Sequence, residues 1–135
     1  MLQLKNMKNK HYLLDANAIL RLVLKDNEEQ YQIVKKIVFE NYCTVPFEVI
    51  CEIVFVLSGV YLVPRDKIAE LLKIMINEIN VEKDYILVRA LEAYTSKPKL
   101  DFVDCLMFGY HCYGYEVLTF DKRLNQKMEG SDIQP

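Results

Sequence analysis

HYLLDANAIL, residues 11–20, decides the fold class of this chain. Its first half is a short apolar run that ends in an acid; its second half passes straight into helical spacing. The reading is a strand over 11–15 followed by a helix over 16–24. The same alternation recurs downstream. Helical spacing returns over 28–40, with Asn27 as a candidate N-cap, and Cys43–Val45 reads as a brief strand. Pro46 suits the start of a helix running to about Leu57, where Ser58-Gly59 weakens it. Another helix begins near Pro64, with Ile68, Leu71, Leu72, Met75, Ile76 and Ile79 as its apolar stripe. Residues 84–95 repeat the pattern, and a helix from about Phe102 to Tyr113 stops at Gly114. EVLTF, residues 116–120, reads as a strand, and Asp121–Met128 as a final helix. Strands alternating with helices predict an α/β protein with a parallel sheet, whose chemistry gathers at the carboxyl ends of the strands.

The chain has 135 residues, half of them hydrophobic, with a net charge of −2 and a pI near 5.7. That is enough to bury one core, and residues 11–135 are read as one domain behind a basic N-terminal arm over 1–10. Met7 is an alternative start to Met1. The charge argues against a strongly basic nucleic-acid binder but leaves room for local basic residues. Cys43, Cys51, Cys105 and Cys112 show no C-x-x-C pairing and sit in apolar runs. Reduced buried thiols and a cytoplasmic location are therefore expected, without a zinc site. No signal-peptide pattern and no uninterrupted membrane-spanning run is present.

Five acids stand in unusual company. Asp15 and Asp121 follow predicted strands. Asp101 and Asp104 stand three apart at the start of an apolar helix, on one face. Glu52 interrupts VICEIVFVL, residues 49–57, where a buried carboxylate would cost several kcal/mol unless paired. Each acid has a plainer explanation: Asp15, Asp101 and Asp121 are good helix caps, Asp104 suits a helix N-terminal turn, and Glu52 suits a buried ion pair. Together they suggest a shared site. Clustered carboxylates repel one another unless a cation lies among them, and oxygen-only ligands select Mg²⁺ or Mn²⁺. Such a cation suits phosphodiester hydrolysis.

LLDANAIL, the glutamate of VICEIVFVL, KLDFVDCLMF and LTFDKRL, in that order, resemble the PIN-domain nucleases, most closely the VapC-like toxins of toxin–antitoxin pairs. The resemblance runs from about His11 to Lys127. It implies a PIN-like three-layer α/β fold, with a short central parallel sheet of four or five strands flanked by helices. It implies catalytic and metal-binding roles for Asp15, Glu52, Asp104 and Asp121, with Asp101, Asn17 and Thr119 in support. The usual D-T/S-N motif reads Asp15-Ala16-Asn17 here, so one hydroxyl is missing. Mg²⁺- or Mn²⁺-dependent endoribonuclease activity is implied, leaving 5′-phosphate and 3′-hydroxyl ends, with Lys97, Lys99, Lys122, Arg123 and Lys127 placed to hold RNA. A homodimer is implied too, and a cognate antitoxin whose helix enters an apolar groove, to which Tyr31, Val34, Phe55 and Tyr61 could contribute. A degenerate RNA- or antitoxin-binding module is the alternative. A haloacid-dehalogenase-like phosphatase fits less well, because Asn17 stands where that chemistry wants a second aspartate.

Overall fold

The computed structural model describes residues 10–130; the expected N-terminal arm, apart from Lys10, lies outside them, as do Met1 and Met7. The helices and the first two strands follow the predicted order: β1 (His11–Leu13), α1 (Ala16–Leu24), α2 (Glu28–Glu40), β2 (Tyr42–Val45), α3 (Phe47–Gly59), α4 (Arg65–Glu78), β3 (Asn80–Val81), α5 (Asp84–Ser96), α6 (Phe102–Cys112) and α7 (Lys122–Glu129). Helix starts have local causes. Asp15 and Asn27 accept the backbone N–H groups of Ala18 and Gln30, and Pro46 and Pro64 occupy the positions just before α3 and α4.

The sheet is parallel, in the order β1-β2-β3. It has three strands where four or five were expected. The strands also differ in two places from those read in the sequence. Asn80–Val81 forms β3, a strand of 2 residues, too short to leave an alternation in the sequence. EVLTF pairs with no strand, and Leu118 and Phe120 are 91% and 94% exposed. Its composition suits a strand, but a strand exists only where a partner accepts its backbone hydrogen bonds, and β1 is left as a sheet edge. Buried Thr44 ties the three strands together. Its Oγ1 lies 2.7 Å from His11 Nε2 and accepts a hydrogen bond from Asn80 Nδ2 at 2.9 Å.

The core joins Val45 of β2 to Ile50, Ile53 and Leu57 of α3, Ile68 and Leu72 of α4, Leu87 and Leu91 of α5, and Cys105 of α6, all essentially without exposure. Helices α5 and α6 make the tightest pair. A Cβ built on Gly109 would stand 2.8 Å from the carbonyl oxygen of Ile86, so only glycine permits this approach. The four cysteines are free and buried or half-buried, and burial pushes the Cys105 thiol up to about 12. Among the described residues no helix is long and apolar enough to cross a membrane.

Candidate active site

Helix α6 carries the centre of the site. Asp101 is its N-cap, accepting from the Asp104 N–H at 2.8 Å, while the Asp104 carboxylate accepts from the Asp101 N–H at 3.2 Å. This reciprocal capping box fixes both side chains relative to the helix axis. The chain entering it is clamped from outside. The Arg65 guanidinium donates to the carbonyls of Tyr94 and Leu100 and lies 4.0 Å from the centre of the Tyr94 ring. Leu100 directly precedes Asp101, so α4 holds the start of the acid-bearing helix. In sequence Arg65 looks like an ordinary first-turn residue, because both of its partners are backbone atoms about thirty residues away.

Asp121 caps α7, accepting the N–H groups of Arg123 at 2.9 Å and Leu124 at 3.1 Å. Thr119 Oγ1 accepts the Asp121 N–H at 3.0 Å, so the hydroxyl sets the backbone that carries the acid. Asp104 is half-buried and its carboxyl is held above the ordinary value. Desolvation is the main cause; the charges of Asp101 and Asp121 add to it, and the hydrogen bond from the Asp101 backbone opposes it. Asp101, Asp104 and Asp121 thus share one electrostatic neighbourhood.

The other two acids stand differently. Asp15 is exposed at the end of β1, capping α1 through the Ala18 N–H at 2.9 Å. With Asn17, Arg21 and Gln30 it lines a shallow concavity of about 230 Å³ that contains neither Asp104 nor Asp121. Glu52 is exposed, which corrects the expectation of a carboxylate set among buried side chains. Helical spacing explains it: Glu48, Glu52, Phe55 and Gly59 form the solvent stripe of α3, while Ile50, Ile53, Val54 and Leu57 face the core. The apolar composition of VICEIVFVL hides this, because Phe55 is itself 73% exposed.

Among the described residues no three His, Cys, Asp or Glu side chains stand close enough together to hold one metal ion. The donor set nonetheless suits a hydrated hard cation. Mg²⁺ typically keeps several waters and takes only one or two protein carboxylates, and the Asp104–Asp121 neighbourhood supplies acids whose repulsion a cation relieves. Of the basic residues, Lys99, Lys122 and Arg123 are exposed beside these acids in sequence, and Lys97 lies half-buried, 5.0 Å from the centre of the Phe108 ring. Lys127 is exposed in the last turn of α7.

The PIN domain family model matches residues 12–129. The chain therefore belongs to the PIN domain family, whose members are generally nucleases, typically dependent on divalent metals. No curated protein and no solved structure matches it.

Proposed function

We propose that the chain is a Mg²⁺- or Mn²⁺-dependent endoribonuclease and the toxin of a toxin–antitoxin pair, built on residues 11–135 as one nuclease domain. The observation that carries the reading is the Asp101–Asp104–Asp121 neighbourhood: carboxylates crowded at two helix starts, one of them titrating above its usual range, within a PIN-family chain. Asp104 and Asp121 are the acids that would hold the cation, with Asp15 and Glu52 completing the site from β1 and α3. When bound, a divalent cation supplies a Lewis acid for a phosphoryl oxygen and a water acidic enough to attack phosphorus. The chain's own residues hold the geometry. The capping box orients Asp104, Thr119 orients Asp121, and Asp101 supplies further negative charge. Asn17, beside Asp15, has an amide suited to ordering water or phosphate. Lys97, Lys99, Lys122, Arg123 and Lys127 attract the RNA backbone.

The partner reading finds support in a groove of about 610 Å³ between α1, α2 and α4, lined by Leu22, Val23, Val38, Phe39 and Ile74 over buried Ile19 and Met75. Tyr31 lines it, with the Lys25 and Lys35 ammonium groups 5.3 and 5.6 Å from its ring centre. An apolar lining with two lysines against the one acid, Glu78, suits an amphipathic antitoxin helix bearing acids. Val34, Phe55 and Tyr61 do not line this groove. Homodimerisation and a cytoplasmic location belong to the same proposal.

That no three acids among the described residues group for a metal, with Asp15 lining a concavity that lacks Asp104 and Asp121, favours a second reading, a degenerate module that binds RNA or antitoxin without cleaving. One experiment distinguishes the two. Purified protein is incubated with single-stranded RNA in Mg²⁺, in Mn²⁺ and in EDTA, beside an Asp104→Asn preparation made identically. Cleavage that needs the metal and Asp104 supports the enzyme. RNA binding without cleavage supports the module, and cleavage by the variant or in chelator sinks the proposed mechanism.

A further inference from the structure

Nine tyrosines and no tryptophan make up most of the polar aromatic content of this chain, and five rings gather around a single lysine. Phe47 opens α3, directly after β2. Tyr110 lies near the end of α6 and meets Phe47 edge-on, with ring centres 6.3 Å apart at 85°. Tyr115 meets Tyr110 at 5.2 Å and 88°, and Tyr85 meets Tyr113 at 5.1 Å and 71°. Lys83 joins these pairs. Its Nζ lies 5.4 Å from the Phe47 ring centre and 5.8 Å from that of Tyr110, and donates to the Tyr110 hydroxyl at 3.3 Å. Tyr85 and Tyr115 are within its electrostatic reach.

Core packing accounts for Phe47 and Tyr113, which lie partly buried against the core, but not for the other rings. Tyr85 is 51% and Tyr115 59% exposed, and Lys83 is exposed as well. Lys83 has no ion pair with a carboxylate among the described residues, and the nearby Glu82 carboxylate is engaged by the Phe47 N–H at 3.2 Å. Edge-to-face contacts fix ring orientation without covering both faces of each ring. The cluster also has a definite relation to the acids. Tyr110 is six residues beyond Asp104 on α6, about 9 Å along the helix axis, and Phe47 is five residues before Glu52 on α3, about 7.5 Å.

We infer that these rings form a stacking platform for the unpaired bases of single-stranded RNA, with Lys83 set against a backbone phosphate. The inference rests on the ribonuclease reading and specifies its substrate: an unpaired strand, bound largely without regard to sequence. Every base offers a π-face, so stacking tolerates any of them. A duplex keeps those faces within its own stack and is excluded from the platform.

The test is binding of a fluorescein-labelled single-stranded RNA of mixed sequence, followed by anisotropy in EDTA so that cleavage plays no part. Tyr115→Ala and Tyr85→Ala each weaken binding by about fivefold or more, Tyr115→Phe binds as wild type, and duplex RNA binds less tightly than the single strand. Lys83→Gln lowers the salt dependence of binding by about 0.7 of a logarithmic slope unit, the share of one phosphate contact. Melting curves of the exposed-ring variants check that they fold, and loss in Tyr115→Ala with retention in Tyr115→Phe excludes a merely structural effect. Wild-type binding that neither alanine variant weakens overturns the platform and leaves the ribonuclease reading standing. A wild-type protein that binds no RNA overturns both.

Discussion

Two ends of the candidate site are built by different means. At one end, Asp101 and Asp104 start a helix that is packed hard against α5. Gly109 lets α6 approach α5 to contact distance, Phe102 meets Tyr94 edge-on at 5.4 Å, and Arg65 clamps the preceding carbonyl. At the other end, Asp15 follows a strand of 3 residues at the sheet edge; its neighbours Leu14 and Ala16 are buried, while Asp15 itself is exposed and caps α1. The acids on the packed helix crowd one another; the acid on the edge strand does not join them. Burial of the carboxylate itself marks the difference: Asp104 is half-buried and raised mainly by desolvation, with the charges of Asp101 and Asp121 adding to it, whereas Asp15 is exposed.

The largest effect expected bears directly on this contrast. Asp104→Asn lowers metal-dependent RNA cleavage at least about a hundredfold, since even groups that only support a metal ligand cost 10–100-fold. Asp15→Asn lowers it more than about tenfold if the edge strand completes the site around metal and RNA. Initial rates of the two variants measure the difference. Undiminished cleavage by Asp15→Asn would confine the catalytic site to the α6 and α7 acids.

A stability measurement sharpens the comparison next. A divalent cation bound only by the folded chain stabilises it by about 2.7 kcal/mol at a hundredfold excess over its dissociation constant. For this length that is a rise of roughly 8–15 °C in melting temperature. Thermal melts with and without Mg²⁺ should show the rise in wild type and a much smaller one in Asp104→Asn. Equal rises would place the cation elsewhere.

Gly109→Ala tests the frame rather than the acids. The added methyl meets the Ile86 carbonyl oxygen at 2.8 Å and its Cγ2 at 3.3 Å, and neither backbone can retreat cheaply. The expected cost is about 1–3 kcal/mol, or a melting temperature lower by about 3–10 °C. Gly59, with nothing within 4 Å of its added Cβ, is the control, and Gly59→Ala should leave the melt nearly unchanged.

The smallest effect is on pH. Asp104 titrates above 3.8 in the folded chain, so that state holds its proton more tightly than the unfolded one does. Its contribution therefore favours folding at low pH and is lost as pH rises through the folded value. The melting temperature of metal-free Asp104→Asn, relative to wild type, should accordingly improve as pH rises from about 3.8 upward. A gap independent of pH across that window would show that Asp104 is neither desolvated nor crowded.

Much of this protein was legible from its sequence. The helices and the first two strands follow from spacing and caps that neighbouring residues settle among themselves, and the roles of Asp15, Asp101 and Asp121 as caps follow from the same local chemistry. The family-like order of the acids, LLDANAIL to LTFDKRL, is likewise a linear property. What needed the tertiary structure were the facts that depend on a distant partner. EVLTF has the composition of a strand, yet a strand is defined by its neighbour, and none among the described residues pairs with it. Asn80–Val81 shows no pattern, yet β2 recruits it. Glu52 looks buried by the company it keeps in sequence, but a helix turns 100° per residue and sets it on the solvent stripe. Arg65 and Lys83 carry no signal at all, because one binds backbone carbonyls and the other lies among rings brought from three separate helices and a loop. Local chemistry fixed where each element begins; only long-range packing decided which of them meet.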